Sequence, residues 1–114
     1  MVIYFGDLSL NLLKSCSLVK DKDVEDIGLY FTSSLKRLKE LTVKLVECHD
    51  ITDNAIKSLT TSVGTNLKDL QDLSLDFRWC KKLTDQSPKE IRSRLGGYLP
   101  KLDNLFVSFR WYVF

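Results

Sequence analysis

The sequence predicts an α/β fold built as a solenoid. About three and a half strand–turn–helix units of ~32 residues stack side by side, with parallel strands in one layer and helices in the other. Three observations carry this. Cys16, Cys48 and Cys80 fall at intervals of 32 residues. The tripeptide Phe-Arg-Trp occurs at 77–79 and again at 109–111, the same interval apart. Within each interval the apolar period changes from two residues to between three and four.

The strand segments come first. FGDLSLNLLKSC (5–16), LKELTVKLVEC (38–48), LQDLSLDFRWC (70–80) and LDNLFVSFRWY (102–112) align with one another. The last three share L-x-x-L-x-Φ-x-Φ-x-x-C, with Φ apolar and Tyr112 replacing the cysteine in the final copy. The first copy has one extra residue before its cysteine. Leu41, Val43 and Leu45 alternate with Thr42 and Lys44. Leu73, Leu75 and Phe77 alternate with Ser74 and Asp76, and Leu105, Val107 and Phe109 with Phe106 and Ser108. Alternation over five residues describes a strand with one buried face. On this alignment Leu12 and Leu45 are the equivalents of the core residues Phe77 and Phe109.

Helical stripes follow each strand: Val24, Ile27, Phe31, Leu35, Leu38; then Ala55, Ile56, Leu59, Val63, Leu67, Leu70; then Ile91, Leu95, Leu99, Leu102. Asp23 and Asp53 are the expected N-caps of the first two helices. Ser87-Pro88-Lys89-Glu90 has the form of a capping box with proline at the first helical position. Gly64 and Gly96-Gly97 are the expected helix stops. The units span approximately 5–37, 38–69, 70–101 and a partial 102–114, in a single domain. A unit of this kind buries its apolar face only against a neighbour.

The bulk numbers narrow the function classes. Of 114 residues, 44% are hydrophobic and 12 are aromatic, enough for a packed core. Seventeen basic and 15 acidic residues leave a net charge of +2, without the basic excess of a nucleic-acid or acidic-membrane binder. No apolar run nears the ~20 residues of a membrane-spanning helix. The start, MVIYFGDLSLNLL, has no basic leader and carries Asp7, so it does not read as a secretory signal. Three cysteines, an odd number, fit a reducing compartment, and the expected location is intracellular and cytoplasmic.

HDITDNAIKSL (49–59) and KKLTDQSPKEI (81–91), each after a cysteine, are similar to the C-x-x-I-T-D-x-x-Φ-x-x-L segment of cysteine-containing leucine-rich repeats. Those repeats occur in substrate receptors of ubiquitin ligases and in other scaffolds. The strand is two residues longer than theirs, and in this it resembles the long-strand leucine-rich repeats of ciliated protists. The resemblance covers nearly the whole chain. It implies a curved right-handed solenoid with strands on the concave face and helices on the convex face. It also implies that the cysteines point inward at the turn and hydrogen-bond backbone groups.

The candidate sites follow from these columns. The cysteines lack the paired spacing of a zinc site, so they are expected to be buried structural thiols. Thr52-Asp53 and Thr84-Asp85 are expected to cap helices and close turns. One histidine, His49, and the absence of nucleophile or phosphate-loop motifs give no basis for catalysis, a cofactor or a metal. The expected binding surface is the outward sheet face toward units three and four. Asp76, Arg78, Phe106 and Arg110 occupy outward positions there. Trp79 and Trp111 sit just before the cysteine column, where unit two has Glu47, so the position is expected to be wet. Two tryptophans there would form a stacked ledge, and Trp and Arg are enriched in binding hot spots. The alternative is that they cover the strand-to-turn corner or stack on the neighbouring arginines.

The chain opens on MVIYF and closes on RWYVF, and neither is a polar cap. Tyr112 and Phe114 join Trp111 at an apolar edge that is expected to be covered. The functional expectation is a non-catalytic protein–protein interaction or structural subunit, docked in a larger assembly or a longer array. One alternative is a substrate-recognition segment of a ubiquitin-ligase receptor, weakened because no F-box-like region precedes the repeats. The other is a weak single-stranded nucleic-acid binder that stacks bases on the two tryptophans.

Overall fold

Leu41, Val43 and Leu45 on one strand and Leu73, Leu75 and Phe77 on the next are all essentially inaccessible. Thr42, Lys44 and Ser74 between them are half-buried or exposed. That alternation sets the fold. The computed structural model describes residues 2–6, 9–15, 18–95 and 97–109. Their elements are β1 (Val2–Gly6), β2 (Ser9–Ser15), α1 (Asp21–Ser34), β3 (Glu40–Val46), α2 (Asp53–Asn66), β4 (Asp72–Asp76), α3 (Gln86–Leu95) and β5 (Asn104–Ser108).

The strands form one open sheet in sequence order, β1-β2-β3-β4-β5. β2 to β5 run parallel, and β1 pairs antiparallel with β2. Each helix lies between two parallel strands in the chain, as a parallel connection requires. Adjacent helices pack in turn, α1 on α2 and α2 on α3. Helical Val24, Ile56, Leu59, Val63 and Ile91 share one core cluster with the strand residues. The helices therefore cover one sheet face and leave the other open. Each buried leucine or isoleucine removed from water stabilises this arrangement by about 2 kcal/mol.

The register between β3, β4 and β5 follows the 32-residue period: Leu41, Leu73 and Leu105 lie side by side, as do Thr42, Ser74 and Phe106. Between β2 and β3 it does not. Ser9 faces Glu40, Leu12 faces Val43 and Lys14 faces Leu45, a spacing of 31 residues. The residue opposite Leu45 is thus Lys14, not Leu12. Aligning the first copy on its cysteine placed the extra residue inside the strand, whereas the pairing runs unbroken to Ser15. Cys16 itself lies outside the described residues.

The first strand was not expected. Val2–Gly6 folds back on β2, with Val2 opposite Leu13 and Gly6 opposite Ser9. The apolar start of the chain is therefore a paired strand, and β2 has neighbours on both sides. Antiparallel pairing needs only a short connection, which is all that two residues between β1 and β2 allow.

Three helix boundaries also differ from expectation. Helix α1 is capped by Lys20, and Asp23 reaches back as the third helical residue to accept from the Lys20 N–H at 2.9 Å. Helix α2 is capped by Thr52, whose hydroxyl accepts from the Asn54 N–H. In α3 the Thr84 hydroxyl accepts from the Gln86 N–H at 3.2 Å, so Ser87 is inside the helix rather than capping it. Gly64 is not a stop either. It lies within α2, buried where α3 crosses, and a Cβ there would stand 2.9 Å from the Arg94 carbonyl oxygen. Close helix approach, not termination, requires glycine at that position. Gly64→Ala should therefore lower the thermal midpoint by several degrees, although alanine is the better helix former by about 1 kcal/mol. A raised midpoint in a circular-dichroism melt would show that α3 shifts freely.

Candidate functional site

Where each strand turns toward its helix, successive units stack corner on corner. Glu47 and Trp79 occupy the same station, one residue before Cys48 and Cys80. Both hold a left-handed backbone, with φ of 59° and 64°. Non-glycine residues adopt this conformation at a cost, so the corner geometry is imposed by its neighbours. The Glu47 N–H donates to the Arg78 carbonyl at 2.9 Å, tying one corner to the next. Behind them both thiols are fully buried. The Cys80 thiol donates to the Leu45 carbonyl oxygen at 2.8 Å, across to the preceding unit. The adjacent Cys48 thiol and burial hold the Cys80 thiol far above the ordinary cysteine range. Such a thiol is inert toward electrophiles.

A second tie repeats on the helix side. The Asp21 carboxylate accepts from the backbone N–H of Thr52 at 2.7 Å and from its hydroxyl. One unit on, the Asp53 carboxylate accepts from the Thr84 N–H at 2.9 Å and from its hydroxyl. Asp53 also accepts from the hydroxyl of Ser87, which is fully buried. Each aspartate starts its own helix, and its carboxylate clasps the next unit. Burial would push the Asp53 carboxyl up, but the Ser87 and Thr84 hydroxyls and the Thr84 N–H outweigh it and hold it below the usual carboxylate range. The recurring Thr-Asp pair was the sequence signal. Its reach into the neighbouring unit, rather than into its own turn, was not legible.

The open sheet face carries rows of side chains in register. Glu40, Asp72 and Asn104 form one row, with the Asn104 amide donating to Asp72 at 2.6 Å. Thr42, Ser74 and Phe106 form the next. These rows line a shallow depression of about 440 Å³. Phe106 is 59% exposed there. A second depression, about 340 Å³ and mostly apolar, lies between α3 and β5 and is lined by Pro88, Ile91, Arg92, Leu105, Val107 and Phe109. Leu105 belongs to the inward column, yet it is 46% exposed, because no described helix covers it on the far side. His49 lines neither depression.

The expected site residues divide three ways. Phe106 is on the open face, as its outward phase predicts. Arg78 and Asp76 pair with each other: the Arg78 guanidinium grips the Asp76 carboxylate at 2.9 and 3.0 Å through Nε and at 2.9 Å through a terminal nitrogen. Asp76 is consequently buried, not presented outward, since Arg78 two residues along the chain folds over it. Trp79 is half-buried rather than wet. Arg110, Trp111, Tyr112 and Phe114 lie outside the described residues, and with them half of the expected tryptophan ledge. Phe77 is fully buried, with its ring centroid 5.5 Å from that of Phe109, so the Phe of each Phe-Arg-Trp belongs to the core side.

Among the described residues, no group of three or more His, Cys, Asp or Glu is placed to hold a metal ion. No described helix is long and apolar enough to cross a membrane. Comparison of the chain with protein-family models and with curated proteins finds no match.

Two predictions concern this lattice of ties. Asp53→Ala should destabilise the fold by about 2 kcal/mol in chemical denaturation, because it strands the buried Ser87 hydroxyl. The same carboxylate contributes stability above the unfolded pKa near 4, and this is lost as pH falls through its depressed folded value. Cys80 should resist alkylation at pH 8 until the chain unfolds, followed by intact mass. Its raised pKa has the opposite sign. Above about pH 8.5 the unfolded thiol ionises while the folded one does not, so stability should fall by up to about 1.4 kcal/mol per pH unit.

Proposed function

We propose that the chain is a leucine-rich-repeat segment with no catalytic role, which binds a protein partner on its open sheet face and acts as an interaction or structural subunit. The observation that carries this is the sheet itself. Helices occupy one face, while the other holds ordered rows ending in an exposed aromatic, Phe106. Polar side chains around a large aromatic are the composition of an interface rather than of a plain solvated sheet. The repeat reading is supported by the register of Leu41, Leu73 and Leu105 and by the duplicated Asp–Thr clasp. Arg78 at the rim remains part of the surface as a neutralised pair with Asp76.

The test is comparative capture with a tagged chain and cross-linking. Ser74→Arg places a long cation in the middle of the open face, and Phe106→Ala removes the aromatic. Both should reduce recovery of the same partner at least tenfold, a loss of about 1.4 kcal/mol or more. The thermal midpoint should stay near that of the parent chain. Equal recovery by both variants would move the binding surface elsewhere.

A further inference from the structure

The two ends of the domain are complementary. Helix α1 carries Asp21, Asp23, Glu25 and Asp26 against one lysine, a net of −3. Helix α3 carries Lys89, Arg92 and Arg94 against Glu90, a net of +2. The packing shows which flank of each helix is outermost. In α1, Asp21 and Gly28 face α2, through the Thr52 clasp and the close approach of Ser62. Asp23 and Tyr30 lie two residues further along than these. Two residues turn 200° around a helix, so Asp23 and Tyr30, with Ile27 between them, occupy the opposite flank. Asp23 is exposed, and Tyr30 is 47% exposed. In α3, Ser87 and Arg94 face α2. Pro88 and exposed Arg92 line the outer groove with Leu105. At the sheet edges β1 and β5 each pair with one strand among the described residues.

We infer that copies of this chain associate head to tail. The outer flank of α1 in one copy docks against the α3–β5 groove of the next. Tyr30 and Ile27 meet the apolar wall of Ile91, Leu105 and Val107, and Asp23 faces Arg92. β1 of one copy then lies along β5 of the other, joining two sheets at their edges. The occupant is a second copy because the groove's charge is answered by this chain's own far end. The contact is heterologous, with different surfaces on the two sides, so it propagates rather than closing as a symmetric pair. This rests on the reading of the chain as an assembly subunit, but it uses the two ends and not the open sheet face.

Sedimentation velocity of the full chain over a wide concentration range tests it. The weight-average mass should climb past twice the 13.2 kDa monomer without levelling, and fall as salt is added. A mass that stays at the monomer value, or that levels at a dimer, overturns the proposal. Arg92→Asp, on an exposed position, should weaken association roughly tenfold, since a surface attraction becomes a repulsion. Unchanged association in that variant overturns the proposal. Asp23→Arg alone should also weaken it. An equimolar mixture of the two variants should recover assembly, because each end then meets an opposite charge. Failure of the mixture, with both variants melting cooperatively, overturns the proposal. Ser74→Arg, which blocks the open sheet face, should associate like the parent chain. Loss of assembly there would place the contact on the sheet and overturn end-to-end docking.

Discussion

A strand in this fold is buried only when helices flank it on both sides, and every other feature depends on that constraint. Leu41 and Leu73 are 1% and 2% exposed, whereas Leu105, in the same column, is 46% exposed. The three side chains are chemically identical and in register. They differ in whether a further helix lies beyond. Stability thus resides in the contacts between units rather than within them, as expected for a stacked array.

The ties between units are of two kinds. On the helix side, a carboxylate at the start of one helix accepts from the threonine that caps the next. One threonine therefore closes its own turn and is also held by its neighbour. At the strand end, left-handed residues and buried thiols stack the corners. The charged hydrogen bonds hold the helix layer in step with the sheet, and the apolar column supplies the main driving force. Gly64 adds a steric condition, since α2 and α3 meet where a methyl group would not fit.

The architecture was legible because its signals are periodic. The alternation at 41–45 and 73–77, the helical stripe at 55–70 and the cysteine spacing each repeat, so one unit checks another. The first unit was misjudged by the same logic. Its cysteine keeps the period while its strand pairs one residue short of it. Pairing maximises an unbroken hydrogen-bond ladder and takes no account of a landmark beyond the strand end. The candidate site was less legible. Alternation put Phe106 on the open face correctly. It could not show that Arg78 bends back over Asp76, because two residues on one side of a strand also lie within reach of each other.

The sequence by itself determined the period, the order of elements and which strand face is apolar, because these follow from local spacing and from hydrophobicity. Only the tertiary structure decided which neighbour each group meets. It set Asp53 on the following unit's threonine, folded Val2–Gly6 back against β2, and left Leu105 open beside α3. The physical reason is that these are contacts between residues distant in the chain, and only packing brings such residues together.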